Sequence, residues 1–415
     1  MDVQTDRELI RAAGKSRRYL LVRLRAAEPV QVTKRPPVNV AIVLDRSGSM
    51  HGAKLQLAKE ATRKALGLLG RHDRFSLVVY DDQIDVLVES TGASAESLDL
   101  ALRKLEPIEA RGSTDLGTGW LRGCEQVAAH LADEASGKCL LLTDGLANVG
   151  ITGHDELSGH AEQLRARQVM TSTFGIGVDF DERLLAAMAR AGGGHFYYIQ
   201  AAAQIPDFLM SELGETLEVV ARDVRVEVSA PEAVSLRLLS DFRSERQGTS
   251  LACFLPDLIA RQEITLVLEA CFPEGAEGDR VRIECSVHDR EGEIPDSPVS
   301  LTWTFADHAA NDRQVRNRVV DRAVARLYAA IAQRDAVEAN RRGDYAAARS
   351  LLEKAAQRIE GYTGDDAELG QIARGLREVV GEFAQSMDAA ALKRRHYASY
   401  AVRSSRDMAG KAQKY

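Results

Sequence analysis

The sequence predicts an α/β fold in which a doubly wound, mostly parallel sheet is inserted in an antiparallel β-sandwich, with an α-helical region at the C-terminus. Three observations support this prediction. Apolar runs alternate with amphipathic segments over residues 37–215, which is typical of a sheet with helices on both faces. The apolar period becomes two over residues 216–306 and helical over residues 307–415. Residues 1–36 also contain a run of period two, so we expect them to contribute to the sandwich.

The α/β segment begins with VNVAIVLD, residues 38–45, an uninterrupted apolar run of the kind expected for a strand buried on both faces. An amphipathic helix follows, with the stripe Leu55, Ala58, Thr62, Ala65, Leu66 and Leu69. The later predicted strands are RFSLVVYDD, IDVLVES, KCLLLTDG, VMTSTFGIGV and HFYYIQ. If the strand order is 3-2-1-4-5-6, the first and fourth strands are neighbours where the order reverses, and such sheets bind their ligands at that point.

Strands with alternating apolar and polar residues follow the α/β segment, in VRVEVSA, EITLVLEACF, RVRIECSVHD and SLTWTF. This alternation is typical of an antiparallel sheet with one buried face. The segment YLLVRLRA, residues 19–26, has the same pattern although it precedes the α/β segment. We therefore predict that residues 20–26 pair with strands that follow residue 220.

The helical region contains three apolar stripes at helical spacing. The first holds Val320, Val324, Leu327 and Ile331, the second Tyr345, Ala348, Leu352 and Ala355, and the third Leu369, Ile372, Leu376, Val379, Phe383 and Met387. We expect these stripes to pack on each other or on the sandwich, with self-association as the alternative. The turn between the first two helices fits one tetratricopeptide hairpin or a plain helical hairpin. We interpret its Arg342-Gly343-Asp344 as a helix–helix turn rather than an integrin ligand.

The composition argues against several functional classes. The net charge is -7, which does not favour nucleic-acid binding, and we interpret the two basic ends of the chain as solvated termini. No apolar run reaches the roughly 18 residues of a membrane span, and the first residues lack the apolar core of a secretory signal. The five cysteines form no CxxC pair, as expected for buried thiols in a reducing compartment. We therefore expect a cytoplasmic protein.

Side chains with hard oxygen ligands follow two of the predicted strands. Asp45, Ser47 and Ser49 come directly after the first strand, and Asp144 follows the fourth. Thr114 lies in the glycine-rich stretch ARGSTDLGTG, at the same expected edge of the sheet. Mg²⁺ takes six oxygen ligands and keeps some of its waters, whereas zinc prefers the imidazole and thiolate ligands that this set lacks. The five residues therefore predict a site for Mg²⁺ or Mn²⁺.

At these spacings DRSGSM, GSTDLG and LLTDG resemble the metal-ion-dependent adhesion site of von Willebrand factor type A domains. The resemblance covers about residues 38–215 and is nearest to inter-alpha-trypsin inhibitor heavy chains, calcium-activated chloride channel-like proteins and their bacterial relatives. It implies Mg²⁺ or Mn²⁺ at the five matched positions, completed by a Glu or Asp of a protein partner, without catalysis. Secreted members begin with a signal sequence, so its expected absence here argues against adhesion to extracellular matrix.

Other chemistries fit these residues less well. An aspartyl phosphatase would need a second carboxylate two residues after Asp45, where Ser47 stands. A serine hydrolase elbow would need a glycine two residues before its nucleophile, and no GxxxxGK[ST] loop is present to bind nucleotide. His51 is interpreted as an exposed residue rather than a ligand contact.

The function that the sequence predicts is non-enzymatic. It is a metal-dependent protein–protein interaction module that binds an acidic side chain of its partner, with no nucleic-acid partner and no membrane span. One alternative is an adaptor subunit of a MoxR- or chelatase-type AAA+ ATPase. A metal-dependent hydrolase is the less favoured alternative.

Overall fold

The computed structural model describes residues 1–26, 37–131, 136–290, 292, 294 and 297–415. The chain forms two compact units. The first comprises Met1–Glu28, Val220–Met408 and Ala412–Tyr415, and the second comprises Pro29–Val219 and Ala409–Lys411. The second unit therefore interrupts the first in the sequence. Within the described ranges, none of the helices combines the length and the apolar character needed to cross a membrane.

The strands and helices are numbered along the chain. The strands are β1 (Asp2–Thr5), β2 (Leu9–Arg11), β3 (Ser16–Arg25), β4 (Val38–Asp45), β5 (Arg74–Tyr80), β6 (Ile84–Gly92), β7 (Ser136–Thr143), β8 (Val169–Ile176), β9 (Gly193–Ile199), β10 (Val219–Ala221), β11 (Arg225–Ser229), β12 (Ser235–Leu238), β13 (Arg243–Gln247), β14 (Ser250–Phe254), β15 (Leu258–Ile259), β16 (Glu263–Phe272), β17 (Arg280–His288) and β18 (Val299–Ala306). The α-helices are α1 (Ala53–Leu66), α2 (Ala95–Leu105), α3 (Leu116–Ala128), α4 (His154–Ala166), α5 (Glu182–Ala191), α6 (Ile205–Leu217), α7 (His308–Arg313), α8 (Arg318–Arg341), α9 (Tyr345–Thr363), α10 (Ala367–Val379) and α11 (Ala389–Arg403).

The second unit is a six-stranded sheet with helices on both faces. Its strand order is β6-β5-β4-β7-β8-β9, which confirms the order 3-2-1-4-5-6. Only β5 and β6 pair antiparallel, and the other pairs in this sheet are parallel. The predicted α/β class, with a mixed sheet and a C-terminal helical region, is confirmed. The first and fourth strands of the unit, β4 and β7, are neighbours, so their carboxyl ends meet.

Helices cover both faces of β4. Val40, Ile42 and Leu44 share one core with residues of α1, α2 and α6. Helix α3 lies on the opposite face, where a Cβ added to Gly123 would lie 2.2 Å from Val43 Cγ2. Only glycine permits this close approach. This close approach holds α3 and the loop before α3 against the centre of the sheet.

The first unit contains a four-stranded sheet in the order β1-β3-β16-β12 and a six-stranded sheet in the order β13-β14-β11-β17-β18-β2. Strands β3 and β16 pair antiparallel from Ser16 opposite Phe272 to Arg25 opposite Glu263, and Ala26 N donates to the Gln262 carbonyl. The prediction that residues 20–26 pair with later strands is confirmed. Inward-facing residues of the two sheets form one apolar core, as the alternation of strand residues requires.

Helix α8 packs on the other face of the four-stranded sheet. Val320, Val324 and Leu327 contact Tyr19, Leu21 and Val267 there. A second core joins α8, α9 and α10 and includes Leu352, Leu376 and Phe383. The predicted stripes therefore pack inside this unit, although Tyr345 is only half-buried. Arg342-Gly343-Asp344 is the helix–helix turn, in which Asp344 caps α9.

The C-terminal part of the helical region differs from the prediction in two respects. The third helix, α10, ends at Val379 rather than near Met387, and α11 follows after a short 3₁₀ turn. The basic end of the chain is not a solvated terminus, because Lys393, Arg403 and Arg406 are buried. Beyond α11 the chain returns to the sheet, where Glu263 N donates to the Gln413 carbonyl.

Candidate metal centre

The carboxyl ends of β4 and β7 bring two buried aspartates to one edge of the sheet. Asp45 is the last residue of β4, and Asp144 follows the last residue of β7, Thr143. Both aspartates have no exposed surface. Thr143 Oγ1 donates to Asp45 Oδ2 at 2.7 Å, so Asp45 contacts the residue that directly precedes Asp144.

The two predicted serines connect these aspartates. Ser47 N donates to Asp45 Oδ1 at 2.7 Å, and the hydroxyls of Ser47 and Ser49 lie 3.1 Å apart. Ser49 Oγ donates to Asp144 Oδ1 at 2.5 Å. Ser47 is buried and Ser49 is exposed, so this hydrogen-bonded series runs from the interior to the surface. Four of the five predicted residues are therefore joined in one series of hydrogen bonds.

Thr114 lies beside the same group. A Cβ added to Gly145 would lie 3.2 Å from Thr114 Oγ1 and 3.5 Å from Ser49 Oγ, so both hydroxyls flank this glycine. Thr114 N donates to Asn148 Oδ1 at 3.0 Å, which ties the loop before α3 to the loop after β7. The structure thus brings all five predicted residues to the carboxyl edge of the sheet, at the point where the strand order reverses.

The electrostatics of this group favour a cation. The pKa of Asp45 is raised to about 6, mainly by burial and to a smaller extent by the charge of Asp144, against hydrogen bonds from Ser47 and Thr143 that lower it. Among the described residues no cation forms an ion pair with Asp45. Two carboxylates and three hydroxyls match the all-oxygen ligand set of a hard divalent cation. The residues present therefore fit Mg²⁺ or Mn²⁺.

Residues 39–211 match the family model of the von Willebrand factor type A (VWA) domain. The chain therefore contains a VWA domain. A similar sequence is the Escherichia coli K12 protein YfbK, described as uncharacterized, which is 27% identical over 196 residues that cover 46% of this chain and 34% of YfbK. Porcine inter-alpha-trypsin inhibitor heavy chain H4 is 31% identical over 199 residues, which cover 45% of this chain and 21% of the heavy chain.

A longer match extends beyond the VWA domain. The Synechocystis protein sll0103, described as uncharacterized, is 27% identical over 294 residues, which cover 67% of each chain. The chain therefore spans about two thirds of this relative, but only about a third of YfbK and a fifth of the porcine heavy chain.

Two solved structures share the fold over nearly the whole chain. A von Willebrand factor type A protein from Catenulispora acidiphila covers 96% of this chain and 96% of its own, with a TM-score of 0.73 and 18% identity. The ArnB paralog VWA2 from Sulfolobus acidocaldarius covers 96% and 97%, with a TM-score of 0.61 and 16% identity. At these identities the likeness concerns the fold alone. It includes the segments on both sides of the VWA domain.

An ion-pair network that the sequence pattern does not predict lies beside the predicted ligands of the VWA domain. Arg46 directly follows Asp45. Its Nε lies 3.2 Å from Asp81 Oδ2, and its Nη2 lies 2.6 Å from Asp85 Oδ2. Arg111 Nε lies 2.7 Å from Asp81 Oδ2. Burial alone would raise the pKa of Asp81, but hydrogen bonds and charge from Arg111 and Arg46 lower it. The two arginines and two aspartates balance in charge and join the loop after β4 to the loop that carries Thr114.

Lys54 is a second residue that sequence reasoning missed in the VWA domain. It lies in the first turn of α1 and forms an ion pair with Asp144 Oδ2. The two residues are 90 positions apart, so only the fold brings them together. His51, which precedes α1, is exposed as expected.

A separate cluster lies on β9 and α6 of the VWA domain. His195, Glu212 and Glu215 offer ligand atoms that all lie within 4.8 Å of one another. The Glu212 carboxylate is contacted by Ser172, Tyr197, His195 and Lys138. Because Lys138 already supplies a positive charge at 2.5 Å, this buried carboxylate is compensated within the domain and anchors α6 to the sheet.

Proposed function

We propose that this protein is a metal-dependent protein-interaction module. In this proposal Asp45, Ser47, Ser49, Thr114 and Asp144 hold Mg²⁺ or Mn²⁺, and the metal binds an Asp or Glu side chain of a protein partner. The observation that carries the proposal is the convergence of these five oxygen-bearing side chains at one edge of the sheet, together with the buried Asp45, which has no ion-pair partner among the described residues. The bound cation would supply Lewis acidity toward one further oxygen ligand.

The surface around the five residues supports a protein as the partner. Leu146, Val149 and Val178 are 55%, 37% and 41% exposed, and we call these three residues the apolar rim. Leu146 follows Gly145, and Val149 N donates to the Thr114 carbonyl. Val178 follows Gly177, where an added Cβ would lie 3.8 Å from Lys54 Nζ. A partner with an acidic side chain beside apolar ones would bury this rim, and such burial contributes to association.

Of the two alternatives, only the hydrolase predicts a different measurement. An adaptor of an AAA+ ATPase is a special case of this module, in which the captured partner is the ATPase. A hydrolase that used the same cation would cleave phosphoester or peptide substrates in the presence of Mg²⁺. Steady hydrolysis that Asp45→Ala abolishes would favour the enzyme and contradict the binding module.

Calorimetric titration with Mn²⁺ tests the metal site directly. The wild-type protein should bind one ion, Asp45→Ala should lose this binding, and Ser49→Ala and Thr114→Ala should weaken it. His51→Ala should have little effect. Asp99→Ala is a matched control, because it removes an exposed carboxylate paired with Arg103 on α2. Equal Mn²⁺ binding by the wild type and Asp45→Ala would contradict the site assignment.

An affinity pull-down with and without EDTA tests the partner. Capture should require the divalent cation and should be lost in Asp45→Ala. At a metal concentration ten times the dissociation constant, binding should stabilise the wild-type fold by about 1.4 kcal/mol and leave Asp45→Ala unchanged. A partner that binds the wild type and Asp45→Ala equally in EDTA would refute the metal-dependent mechanism.

A further inference from the structure

Lys54 binds one oxygen of the Asp144 carboxylate. Its ammonium group forms an ion pair with Asp144 Oδ2, while Ser49 Oγ donates to Oδ1. Asp144 has no exposed surface, whereas the Lys54 side chain is 30% exposed. The charged end of Lys54 therefore lies between the buried carboxylate and the surface of the candidate site.

The position of Lys54 in α1 does not favour a role in helix stability. The helix begins at Ala53, and its first turn contains no acidic residue. Because the helix dipole places partial positive charge at the N-terminus, a lysine in the first turn is unfavourable there. The ion pair with Asp144 offsets this cost, which indicates that the position of the charge relates to the carboxylates and not to α1.

A count of charge shows what Lys54 does to the site. Asp45 and Asp144 carry two negative charges when ionised, and Lys54 reduces the net charge to one negative. The neighbouring network pairs Arg46 and Arg111 with Asp81 and Asp85, and the charge of Asp82 also acts on Arg111, so this network adds no net positive charge. A divalent cation would bring the set to one net positive charge. Without Lys54 the same set with its cation would be neutral.

We propose that Lys54 selects the ligand of the metal site, so that the loaded site prefers one carboxylate over an uncharged oxygen ligand. This inference rests on the proposed function. Lys54 weakens divalent-cation binding by competing for Asp144 and by electrostatic repulsion. It strengthens the binding of a single negative charge to the loaded site. Lys54 is thus a specificity-determining residue that makes metal binding weak in the absence of an acidic partner.

Neutral substitution of Lys54 separates these two effects. Lys54→Met should raise the Mn²⁺ affinity about a hundredfold, the effect of removing one unit charge roughly 6 Å from a divalent ion at an effective dielectric constant of roughly 40. Lys54→Arg should resemble the wild type. Lys64→Met is the matched control, because Lys64 lies on the same helix and pairs with the exposed Glu60. Lys54→Gln is a second neutral variant, and thermal unfolding of each protein checks that it is folded.

Acetate serves as the probe for a carboxylate ligand, with acetamide as its uncharged counterpart. Water-proton relaxation of the Mn²⁺-loaded protein should fall as acetate displaces a metal-bound water. Acetate should bind the wild type about tenfold more tightly than Lys54→Met, whereas acetamide should not distinguish the two proteins. These measurements report ligand binding and need no partner protein.

The outcomes separate the inference from the proposed function. If the wild type binds Mn²⁺ through Asp45 but Lys54→Met binds it equally or more weakly, the role of Lys54 is overturned and the module stands. If acetate binds Lys54→Met as tightly as the wild type, the selection of a carboxylate is overturned. If the wild type binds no Mn²⁺ that Asp45→Ala abolishes, both the inference and the proposed function fail.

Discussion

Each unit of the protein contains a buried aspartate, but only one of the two aspartates has an ion-pair partner among the described residues. In the VWA domain Asp45 is fully buried and accepts hydrogen bonds from Ser47 N and Thr143 Oγ1, with no ion pair among the described residues. In the other unit Asp321 is also buried, but Arg316 contacts both of its oxygens, at 2.6 and 2.8 Å. The exposed fractions are alike, so burial alone does not distinguish these carboxylates.

The difference lies in whether the fold itself supplies a cation to the buried carboxylate. An ionised carboxylate that is buried without a cation is costly, and its pKa rises as a result. Arg316 compensates Asp321 within the fold, so this pair can join the start of α8 to the chain before it. Asp45 has no such arginine, although Arg46 is adjacent in the sequence and pairs with Asp81 and Asp85 instead. In the function proposed above, a cation from solution would compensate Asp45.

The two tryptophans allow each unit to be followed separately. Trp120 lies in α3 of the VWA domain, Trp303 lies in β18 of the other unit, and both are fully buried. Fluorescence in a Trp303→Phe background reports the VWA domain, and fluorescence in a Trp120→Phe background reports the other unit. Each comparison below is made within one background.

The largest effect is expected for the compensated carboxylate. Asp321→Asn should destabilise its unit by about 3 kcal/mol, because it leaves Arg316 without its main partner in a partly buried site. Urea unfolding followed by Trp303 fluorescence measures this change. A loss below about 1 kcal/mol would show that the ion pair is not structural, and the contrast with Asp45 would then disappear.

In EDTA, Asp45→Asn should stabilise the VWA domain, whereas Asp321→Asn should destabilise its own unit. Since burial raises the folded pKa of Asp45 to about 6, the folded state binds this proton more tightly than the unfolded chain does. Stability from this group is therefore present at low pH and is lost as the pH rises from about 4 to about 6. Above that range Asp45→Asn should be more stable than the wild type by up to about 3 kcal/mol, measured by urea unfolding through Trp120 fluorescence.

Mn²⁺ should reduce the difference in stability between Asp45→Asn and the wild type. With Mn²⁺ at ten times its dissociation constant, the wild type gains about 1.4 kcal/mol and Asp45→Asn gains much less. If Asp45→Asn is less stable than the wild type in EDTA at pH 7.5, the buried carboxylate is compensated after all, and the comparison with Asp321 is wrong.

A buried histidine gives the other unit its own dependence on pH. The pKa of His396 is lowered to about 3, mainly by burial and also by the charges of Arg341, Arg403 and Lys393, against the charge of Asp241, which raises it. The unfolded chain therefore gains a proton near pH 6.5 that the folded state does not. The stability of the wild type relative to His396→Phe should fall by about 2 kcal/mol between pH 6.5 and pH 5.

Urea unfolding through Trp303 fluorescence at several pH values measures this slope. His51→Phe, at an exposed site in the VWA domain, should leave it unchanged. A parallel pH dependence of the wild type and His396→Phe would show that His396 is protonated in the fold.

The smallest effect on stability is expected at the apolar rim. Leu146→Ala should change the stability of the VWA domain by less than about 0.5 kcal/mol, because the side chain is 55% exposed. The same change should reduce metal-dependent capture of the partner in the pull-down. Leu100→Ala is the matched control, since Leu100 is 41% exposed on α2. Equal capture by both variants would remove the rim from the proposed interface.

Periodic patterns in the sequence were enough to predict most of the elements. The uninterrupted run before Asp45 predicts a central strand, and the alternation near the N-terminus predicts that residues 20–26 pair with strands after residue 220. The structure pairs this segment with β16, where Arg25 lies opposite Glu263. Helix α11 was not predicted because four of its seven buried positions are polar, namely Lys393, His396, Ser399 and Arg403. When only apolar stripes are used to indicate burial, such a helix face is assigned to solvent.

The sequence by itself determined the strand and helix periods and the identity of the oxygen-bearing residues at strand ends, because both depend on residues that are close along the chain. Tertiary structure alone decided that Lys54 pairs with Asp144, that Arg46 turns to Asp81 rather than to Asp45, and that Lys138 compensates Glu212. These choices depend on distances between side chains that are far apart in sequence. They also depend on burial, which makes each unpaired charge costly, and neither quantity can be obtained from the local pattern.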